Sequence, residues 1–194
     1  SLYCDSNNSL SVNSSKTVMS FLFENLICWL SPILPFTTEE AWQSWREEID
    51  NGVASSCHLL TNQELPSNWN DKKLEKNWKN ILELRDAFLF VHEKMRNAKE
   101  IKSTMEADVS FFFKEKNLKD IAGIKNFSEI LICSNVSISD ELDKDFEEYK
   151  ENKNVFVKIK KIDGYKCPRC WKIFKDKFQN ELCVRCEKVI DENF

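Results

Sequence analysis

The stretch YKCPRCWKIFKDKFQNELCVRCEK, residues 165–188, contains four cysteines in two C-x-x-C pairs. Cys167 and Cys170 form the first pair, Cys183 and Cys186 form the second, and 12 residues separate the pairs. A C-x-x-C turn directs two thiolates at one centre, and two such turns complete the closed tetrahedral ligand set that is typical of structural zinc. The sequence therefore predicts one structural Zn2+ ion, held by these four residues in a knuckle too small to bury a core of its own.

Two other interpretations of the four cysteines remain open at this point. Two disulfides are one, although vicinal pairs cross-link a chain poorly and nothing in the sequence indicates secretion. An iron–sulfur centre is the other, since it also uses four thiolates; the short hairpin spacing favours zinc. The remaining cysteines are scattered without regular spacing and are interpreted as small buried or half-buried hydrophobes in a reducing compartment: Cys4, Cys28, Cys57 and Cys133.

Charge is unevenly distributed along the chain. The 194 residues carry a net charge of −4, but residues 153–194 contain 11 lysines and arginines against six acidic residues. A basic region that follows an acidic body is typical of a docking surface for a polyanion such as a nucleic acid. Four thiolates on Zn2+ carry a net −2, so they offset only part of this local excess.

Hydrophobic periodicity predicts three helices in the first half of the chain. They cover residues 14–31, a segment restarting after SPILPF with Thr37 or Thr38 as its cap, and a long helix from Asp71 to about Lys99. ADVSFFFK (107–114) and SEILICSNVSI (128–138) read as strands, with a short helix predicted between them at 117–126. NVFVKIKKIDG (154–164) alternates apolar and basic residues, which predicts a half-exposed strand.

These elements predict an α+β fold, in which a helical bundle precedes a small strand–helix–strand unit and a Cys4 zinc knuckle. The expected domains are 1–103 for the helical bundle, 104–163 for the α+β junction and 164–194 for the zinc finger. The longest apolar stretch, residues 18–36, is interrupted by two prolines, a glutamate and an asparagine, so it does not predict a membrane span. No charged region followed by an apolar core stands at the start of the sequence, so we expect no signal peptide.

The sequence contains no catalytic constellation. His58 and His92 are its two histidines, and neither a glycine-rich phosphate loop nor an H-E-x-x-H motif is present. From the residues alone, the chain reads as a metal-stabilised binding module whose final region suits RNA.

Several motifs together resemble a known family. WLSPILPFTTEEAW (29–42) resembles the signature of the anticodon-binding helical domain in class I aminoacyl-tRNA synthetases for branched aliphatic amino acids. CPRCW…CVRC is similar to the carboxy-terminal zinc finger of bacterial-type isoleucyl-tRNA synthetases. LYCDS (2–6), CHLL (57–60) and RNAKEIKSTMEADV (96–109) also resemble segments of that family, in the family's order.

The resemblance implies that the chain is the C-terminal part of an enzyme that joins isoleucine to tRNA(Ile) using ATP. The adenylate-forming signatures HIGH and KMSKS are absent from this sequence. We therefore expect no catalytic residues here, ATP use only by a catalytic domain elsewhere, and no activity of this chain alone. The resemblance further implies that the protein is a cytoplasmic monomer. Its expected partners are tRNA(Ile) and the upstream part of the synthetase chain, and no membrane is expected among them.

The resemblance also implies that Arg169 and Trp171 reach the anticodon. Trp171 offers a stacking face and Arg169 a planar cation, the groups that read unpaired RNA bases. We also expect Arg185 to contact tRNA, and Lys158, Lys160 and Lys161 to contact its phosphates. The alternatives are that Trp171 packs inside the knuckle and that the arginines are exposed cations without a partner.

Two other functions remain open on the sequence. The finger is also similar to one in DNA glycosylases of the formamidopyrimidine type, so the chain could be the nucleic-acid-binding tail of a repair enzyme. Such a tail would share the finger but not the PILPFTTEEAW motif or the long helices. A zinc-ribbon adaptor that binds protein is the third interpretation.

Overall fold

The computed structural model describes residues 2–48, 53–115 and 127–193. Within these ranges the chain forms α-helices and two β-sheets. The helices are α1 (Leu10–Leu30), α2 (Pro35–Glu47), α3 (Lys72–Asn97), α4 (Phe127–Leu131) and α5 (Val184–Asn193). The strands are β1 (Ala107–Phe113), β2 (Asn135–Ile138), β3 (Glu147–Glu148), β4 (Val155–Lys161), β5 (Tyr165–Lys166) and β6 (Ile173–Phe174). The predicted α+β class is confirmed.

The chain divides into two compact units, Ser1–Asn70 and Asp71–Phe194. This division follows packing, and it places α3 in the same unit as the sheet. The three predicted domains, 1–103, 104–163 and 164–194, follow functional segments instead, and they stay a prediction.

Helices α1 and α2 form the first unit. The Ser9 hydroxyl accepts a hydrogen bond from the Val12 N–H at 3.2 Å, so α1 begins four residues before the predicted start. Helix α2 begins at Pro35, whose missing N–H costs nothing in a first helical turn. The predicted cap at Thr37 or Thr38 is wrong, because Thr38 lies inside α2 and its hydroxyl donates to the Leu34 carbonyl at 2.8 Å.

The core of the first unit is built around Trp42, which is fully buried. Its indole N–H donates to the Ala54 carbonyl at 2.9 Å, so the buried polar atom is satisfied. The rings of Phe23 and Trp45 lie 6.4 and 5.0 Å from the Trp42 ring. The spacing of Trp42, Trp45 and Ile49 in the sequence predicts that they form the buried stripe of α2; Trp42 and Trp45 pack together as predicted, whereas Ile49 lies outside the described residues.

An apolar face of α1 remains open to solvent in the first unit. The helical period of the sequence predicts an apolar face on α1, and Val18, Leu22 and Trp29 on this face are 45%, 57% and 60% exposed. These side chains line an apolar groove of about 510 Å³ together with Trp69. Among the described helices, none is both long enough and apolar enough to cross a membrane.

The second unit packs α3 against a four-stranded sheet. The Asp71 carboxylate caps α3 by accepting hydrogen bonds from the N–H groups of Lys73 and Leu74, both at 2.9 Å, which confirms the predicted helix. The strand order is β2-β1-β4-β3, with β2 parallel to β1 and the other pairs antiparallel. Alternate residues of β1 share the core with α3: Ala107, Val109, Phe111, Phe113, Ile81, Leu84, Phe88 and Val91.

The predicted strand over residues 128–138 is wrong in its first half. Phe127 and Leu131 lie four residues apart and are both buried, because α4 places them on the same face toward the core. Ile132 then adopts φ 57°, which ends the helix, and the strand runs only over Asn135–Ile138. Packing of the helix face outweighs the β propensity of the isoleucines. The helix predicted at 117–126 lies outside the described residues.

Strand β4 is less exposed than its alternating sequence predicts. Residues 155–159 are all buried, and only Lys160 and Lys161 at its end are exposed. The outer face is covered because Phe146, in the acidic segment before β3, contacts the Phe112 ring, which lies beside the Phe156 ring. The prediction of a half-exposed strand is therefore confirmed only at the end of β4, where Lys160 and Lys161 are exposed.

A carboxylate joins α2 to the turn that follows it in the first unit. Glu39 accepts hydrogen bonds from the Gln43 amide at 2.6 Å, the Ser56 hydroxyl at 2.8 Å and the Cys57 N–H at 2.9 Å. The bond from Gln43, followed by those from Cys57 and Ser56, lowers the pKa of Glu39 from 4.5 to about 2. The ionised carboxylate thus stabilises the packing of residues 56–59 beside α2.

Glu39→Gln should remove a pH-dependent part of the stability of the chain. Because the folded pKa is depressed, the carboxylate's contribution is fully present above about pH 4.5 and is lost as the pH falls toward 2. The Tm difference between wild type and variant should be large at neutral pH and should shrink toward pH ~3. Glu40→Gln, at an exposed neighbouring position of α2, is the matched control and should follow wild type. A Glu39→Gln profile parallel to wild type at every pH would contradict the prediction.

Candidate metal centre and nucleic-acid interface

The four predicted ligands converge in the second unit. The turn after β5 carries Cys167 and Cys170, and Cys183 and Cys186 lie at the start of α5. Their Sγ atoms all lie within 4.8 Å of one another, so the group can hold a metal ion. None of the eight cysteines, which all lie within the described ranges, is in a disulfide, and this does not fit the two-disulfide alternative.

A tight backbone turn builds the first half of the cluster. The Trp171 N–H donates to the Cys167 carbonyl at 2.9 Å, and the Cys167 N–H donates to the Lys172 carbonyl at 3.0 Å. Trp171 closes this turn with φ 65°, a left-handed conformation that side chains other than glycine rarely adopt. Gly164 precedes β5 where a Cβ atom would lie 2.1 Å from the Phe174 carbonyl oxygen, so only glycine permits this approach.

The cluster cannot carry the charge of four thiolates without a cation to compensate it. Burial raises the pKa of Cys170 and of Cys186, since their charged forms are poorly solvated. Burial opposes ionisation at Cys167 too, but backbone N–H groups, that of Cys170 first, outweigh it and lower the pKa of this thiol to about 6. A bound metal ion would supply the missing positive charge to all four sulfurs.

Little else holds the knuckle together. Besides the cysteines, its apolar cluster contains Phe174, Phe178 and Leu182, and the two phenylalanine rings lie 5.5 Å apart. The hairpin β5–β6 has two residues in each strand. So small an apolar cluster contributes little to folding without a cross-link or a metal.

Trp171 is presented at the surface of the knuckle. Its side chain is 61% exposed, which does not fit the alternative that it forms a miniature core. The Lys166 ammonium lies 5.4 Å from the ring centroid, in cation–π geometry. Sequence reasoning missed Lys166; the available signal was its position just before Cys167, across the turn from Trp171.

Both predicted arginines have protein contacts. The Arg169 guanidinium Nη1 lies 3.7 Å from the Cys186 Sγ atom, at the edge of the sulfur cluster. The Arg185 Nη1 atom lies 3.2 Å from a Glu129 carboxylate oxygen, outside the knuckle. The alternative that these arginines have no partner does not fit these contacts, and their contact with tRNA stays a prediction.

The three predicted lysines of β4 lie in different environments. The Lys158 side chain is 11% exposed, and its ammonium lies 2.5 and 2.8 Å from the carboxylates of Asp143 and Asp145. This contact lowers the pKa of Asp143 and raises that of Lys158. Lys160 and Lys161 are exposed, and Lys161 lies 3.9 Å from Glu106. A phosphate contact by Lys158 stays a prediction that requires the aspartates to move aside.

A second group of possible metal ligands lies in the first unit. Glu39, Cys57 and His58 also place ligand atoms within 4.8 Å of one another. Both Glu39 oxygens already accept hydrogen bonds from protein donors. This group fits the structural contact described above, so we assign no metal to it.

Comparisons with known proteins find similar sequences over nearly the whole chain. A family model described as the anticodon-binding domain of tRNA ligase matches residues 1–111. The isoleucine–tRNA ligase of Brachyspira hyodysenteriae is 36% identical over 195 residues, covering 97% of this chain and 20% of that protein. The isoleucine–tRNA ligase of Agrobacterium fabrum is 36% identical over 176 residues, covering 90% of this chain and 18% of that protein.

A third relative extends the same pattern. The isoleucine–tRNA ligase of Pelagibacter ubique is 34% identical over 190 residues, covering 98% of this chain and 18% of that protein. The chain thus spans about a fifth of the length of the curated relatives it matches. Neither the repair-glycosylase tail nor the protein-binding adaptor receives support from these matches.

Lys158→Ala should destabilise the second unit, whereas Lys160→Ala should leave its Tm near that of wild type. Removing the Lys158 ammonium leaves two carboxylates facing each other without their cation and opens a gap beside Phe146. Lys160 is exposed, so its loss removes little. Thermal unfolding of the two variants checks this, and equal Tm values would contradict a structural role for Lys158.

Proposed function

This chain belongs to the family of anticodon-binding domains of tRNA ligases, and from this premise we propose that it recognises the anticodon of tRNA(Ile). The full-length protein is an isoleucine–tRNA ligase, which attaches isoleucine to tRNA(Ile) with ATP. The similarity to isoleucine–tRNA ligases over nearly the whole chain supports this specificity. We further propose that the enzyme is a cytoplasmic monomer.

The chain itself supplies recognition and not chemistry. Its 194 residues contain neither HIGH nor KMSKS, the signatures expected of the adenylate-forming site. ATP and isoleucine would bind elsewhere in the longer protein. We therefore expect the 194-residue chain to bind tRNA(Ile) without aminoacylating it.

The observation that carries the proposal is the placement of Trp171. An exposed indole lies on a turn that glycine would form with less strain, so neither the core nor the backbone explains a large aromatic side chain there. Unpaired RNA bases are bound by stacking on such rings. Lys166 beside the ring adds positive charge where a phosphate backbone would pass.

We propose that the metal ion at the four cysteines is a single structural Zn2+. The Cys170 and Cys183 sulfurs are 3.8 Å apart, which is the edge of a tetrahedron with zinc–sulfur bonds of about 2.3 Å. Four sulfur ligands leave no open position, so the ion would hold the turn rigid and take no part in catalysis. Arg169 donates toward Cys186 and would partly offset the negative charge of the thiolates.

Recognition would combine one specific contact with several general ones. Trp171 would stack on an anticodon base, and Arg169 would contact that loop from the same turn. Lys160 and Lys161 at the end of β4 would contact phosphates, and Lys158 would join them once its aspartates are displaced. Phosphate contacts position a nucleic acid without reading its sequence.

Cys183→Ser should abolish stoichiometric zinc binding and unfold residues 164–194. Wild-type chain should carry one zinc per molecule by elemental mass spectrometry. In NMR spectra, the variant should lose dispersed signals from the knuckle while the first unit keeps its own, since that unit has a core around Trp42. Cys28→Ser, at a cysteine outside the cluster, is the control and should retain the metal. A metal-free wild-type chain with an ordered knuckle would refute the structural role of zinc.

Trp171→Ala should weaken binding of tRNA(Ile) by roughly five- to 150-fold, the range expected from loss of one base–aromatic stack. Trp171→Phe should recover part of the loss because a π face remains. The affinity gap between tRNA(Ile) and the same tRNA with a changed anticodon should shrink in the alanine variant. Filter binding at fixed salt measures all three effects.

Lys160→Ala is the matched comparison for this experiment. If Lys160 contacts phosphate only, its loss should weaken both tRNAs equally and reduce the salt dependence by about one counterion or less. Loss of zinc and equal weakening of both tRNAs in Trp171→Ala would instead make the tryptophan a structural residue.

A further inference from the structure

The zinc knuckle contacts the region around α4 through side chains at three points. The Arg185 guanidinium pairs with Glu129 at 3.2 Å, and the Lys172 ammonium donates to the Ser128 hydroxyl at 3.1 Å. The Ile173 N–H donates to the Ser134 hydroxyl oxygen at 2.8 Å. We name Ser128, Glu129 and Ser134 the docking surface. All three contacts lie within the second unit and join segments 39 to 56 residues apart in sequence.

The Ser134 hydroxyl forms two hydrogen bonds in this arrangement. It accepts the hydrogen bond from Ile173 in β6 and donates to the Met105 carbonyl at 2.5 Å. A hydroxyl has one proton to donate, so the two bonds fix its orientation. Ser134 therefore links the knuckle hairpin to the segment that enters β1.

The Arg185–Glu129 pair is better shielded than an ordinary surface pair. Its side chains are 33% and 30% exposed, whereas those of the Lys79–Glu75 pair on α3 are 73% and 64% exposed. Exposed pairs contribute little because water and salt screen them. A pair of lower exposure interacts more strongly and holds its geometry better.

The covalent connection to the sheet is also short. Three residues, 162–164, separate β4 from β5, and the Ile162 N–H donates to the Glu106 carbonyl at 2.8 Å. The knuckle is therefore held to the sheet by a short connection on one side and by the docking surface on the other. Two attachments restrict the rotation of the knuckle relative to the sheet, whereas a single connection would allow it.

We propose that the docking surface fixes the orientation of the zinc knuckle, and that Arg185 is a positioning residue acting through Glu129 instead of a direct contact to nucleic acid. The inference rests on the proposed function only where tRNA binding is its readout. A fixed orientation holds Trp171 and the lysines at the end of β4 in one arrangement. The chain then loses less conformational freedom on binding, which raises affinity without any added contact.

A charge swap between the two partners tests the proposal. Arg185→Glu and Glu129→Arg should each weaken tRNA(Ile) binding by roughly three- to tenfold, and the double variant should recover most of the loss. Glu129→Arg is the informative single change, because an added cation should strengthen tRNA binding if only charge mattered. Lys188→Glu, an equal charge change at an exposed position of α5, serves as the control for net charge.

Two results would overturn the proposal. One is tighter or unchanged binding by Glu129→Arg. The other is a double variant as weak as Arg185→Glu, which would make Arg185 a direct contact. Zinc content must stay at one ion per chain in every variant, so that unfolding of the knuckle is not read as misorientation.

A second readout is independent of tRNA. Co2+ in place of zinc should produce pseudocontact shifts at backbone amides of β1 and β2 in the wild-type chain. Each single variant should reduce these shifts by motional averaging, and the double variant should restore them. Unchanged shifts in both single variants would overturn the docking role even if tRNA binding fell. If the wild-type chain bound no tRNA, the proposed function would fail while this measurement still decided the docking.

Discussion

Four sulfur atoms within 4.8 Å of one another impose the constraint on which the end of the chain depends. Burial raises the pKa of Cys170 and Cys186, so the group cannot carry its full negative charge without a cation at its centre. The two-residue strands and the three apolar side chains beside the cluster are too few to fold the knuckle alone. The free energy of metal binding would therefore stabilise the folded state of residues 164–194. The turn that the metal closes is also the turn that exposes Trp171.

The same region uses much of its positive charge internally. Lys158 is held by Asp143 and Asp145, and Arg185 by Glu129. Arg169 points one donor at Cys186. Counting charges along residues 153–194 thus overstates the surface offered to a polyanion. Cations that are exposed in this region include Lys160 at the end of β4 and Lys166 on the knuckle.

How much the sequence could predict follows from how local each feature is. The cysteine cluster depends on two short turns and one hairpin, and helix α3 depends on an apolar pattern that repeats at helical spacing along its whole length. Both features were therefore predictable. The helix Phe127–Leu131 was not, because its three apolar residues, Phe127, Ile130 and Leu131, fit a strand or a helix until packing in the core decides between them. The partners of Lys158 and Arg185 were also hidden, since Glu129 lies 56 residues from Arg185 and such pairs exist only once the sheet and knuckle have packed.

Trp171 has two energetically unfavourable features that the fold does not require. Its backbone adopts φ 65°, where glycine would be unstrained, and its ring is 61% exposed, where a polar side chain would be better solvated. Lys166 covers one face of the ring at 5.4 Å, and a cation on one face leaves the opposite face for an aromatic ligand. A base stacked on that opposite face would keep the cation–π contact. The two side chains would then act as one platform, in which the indole contacts the base and the lysine lowers the electrostatic cost of bringing an RNA strand onto a chain whose net charge is −4.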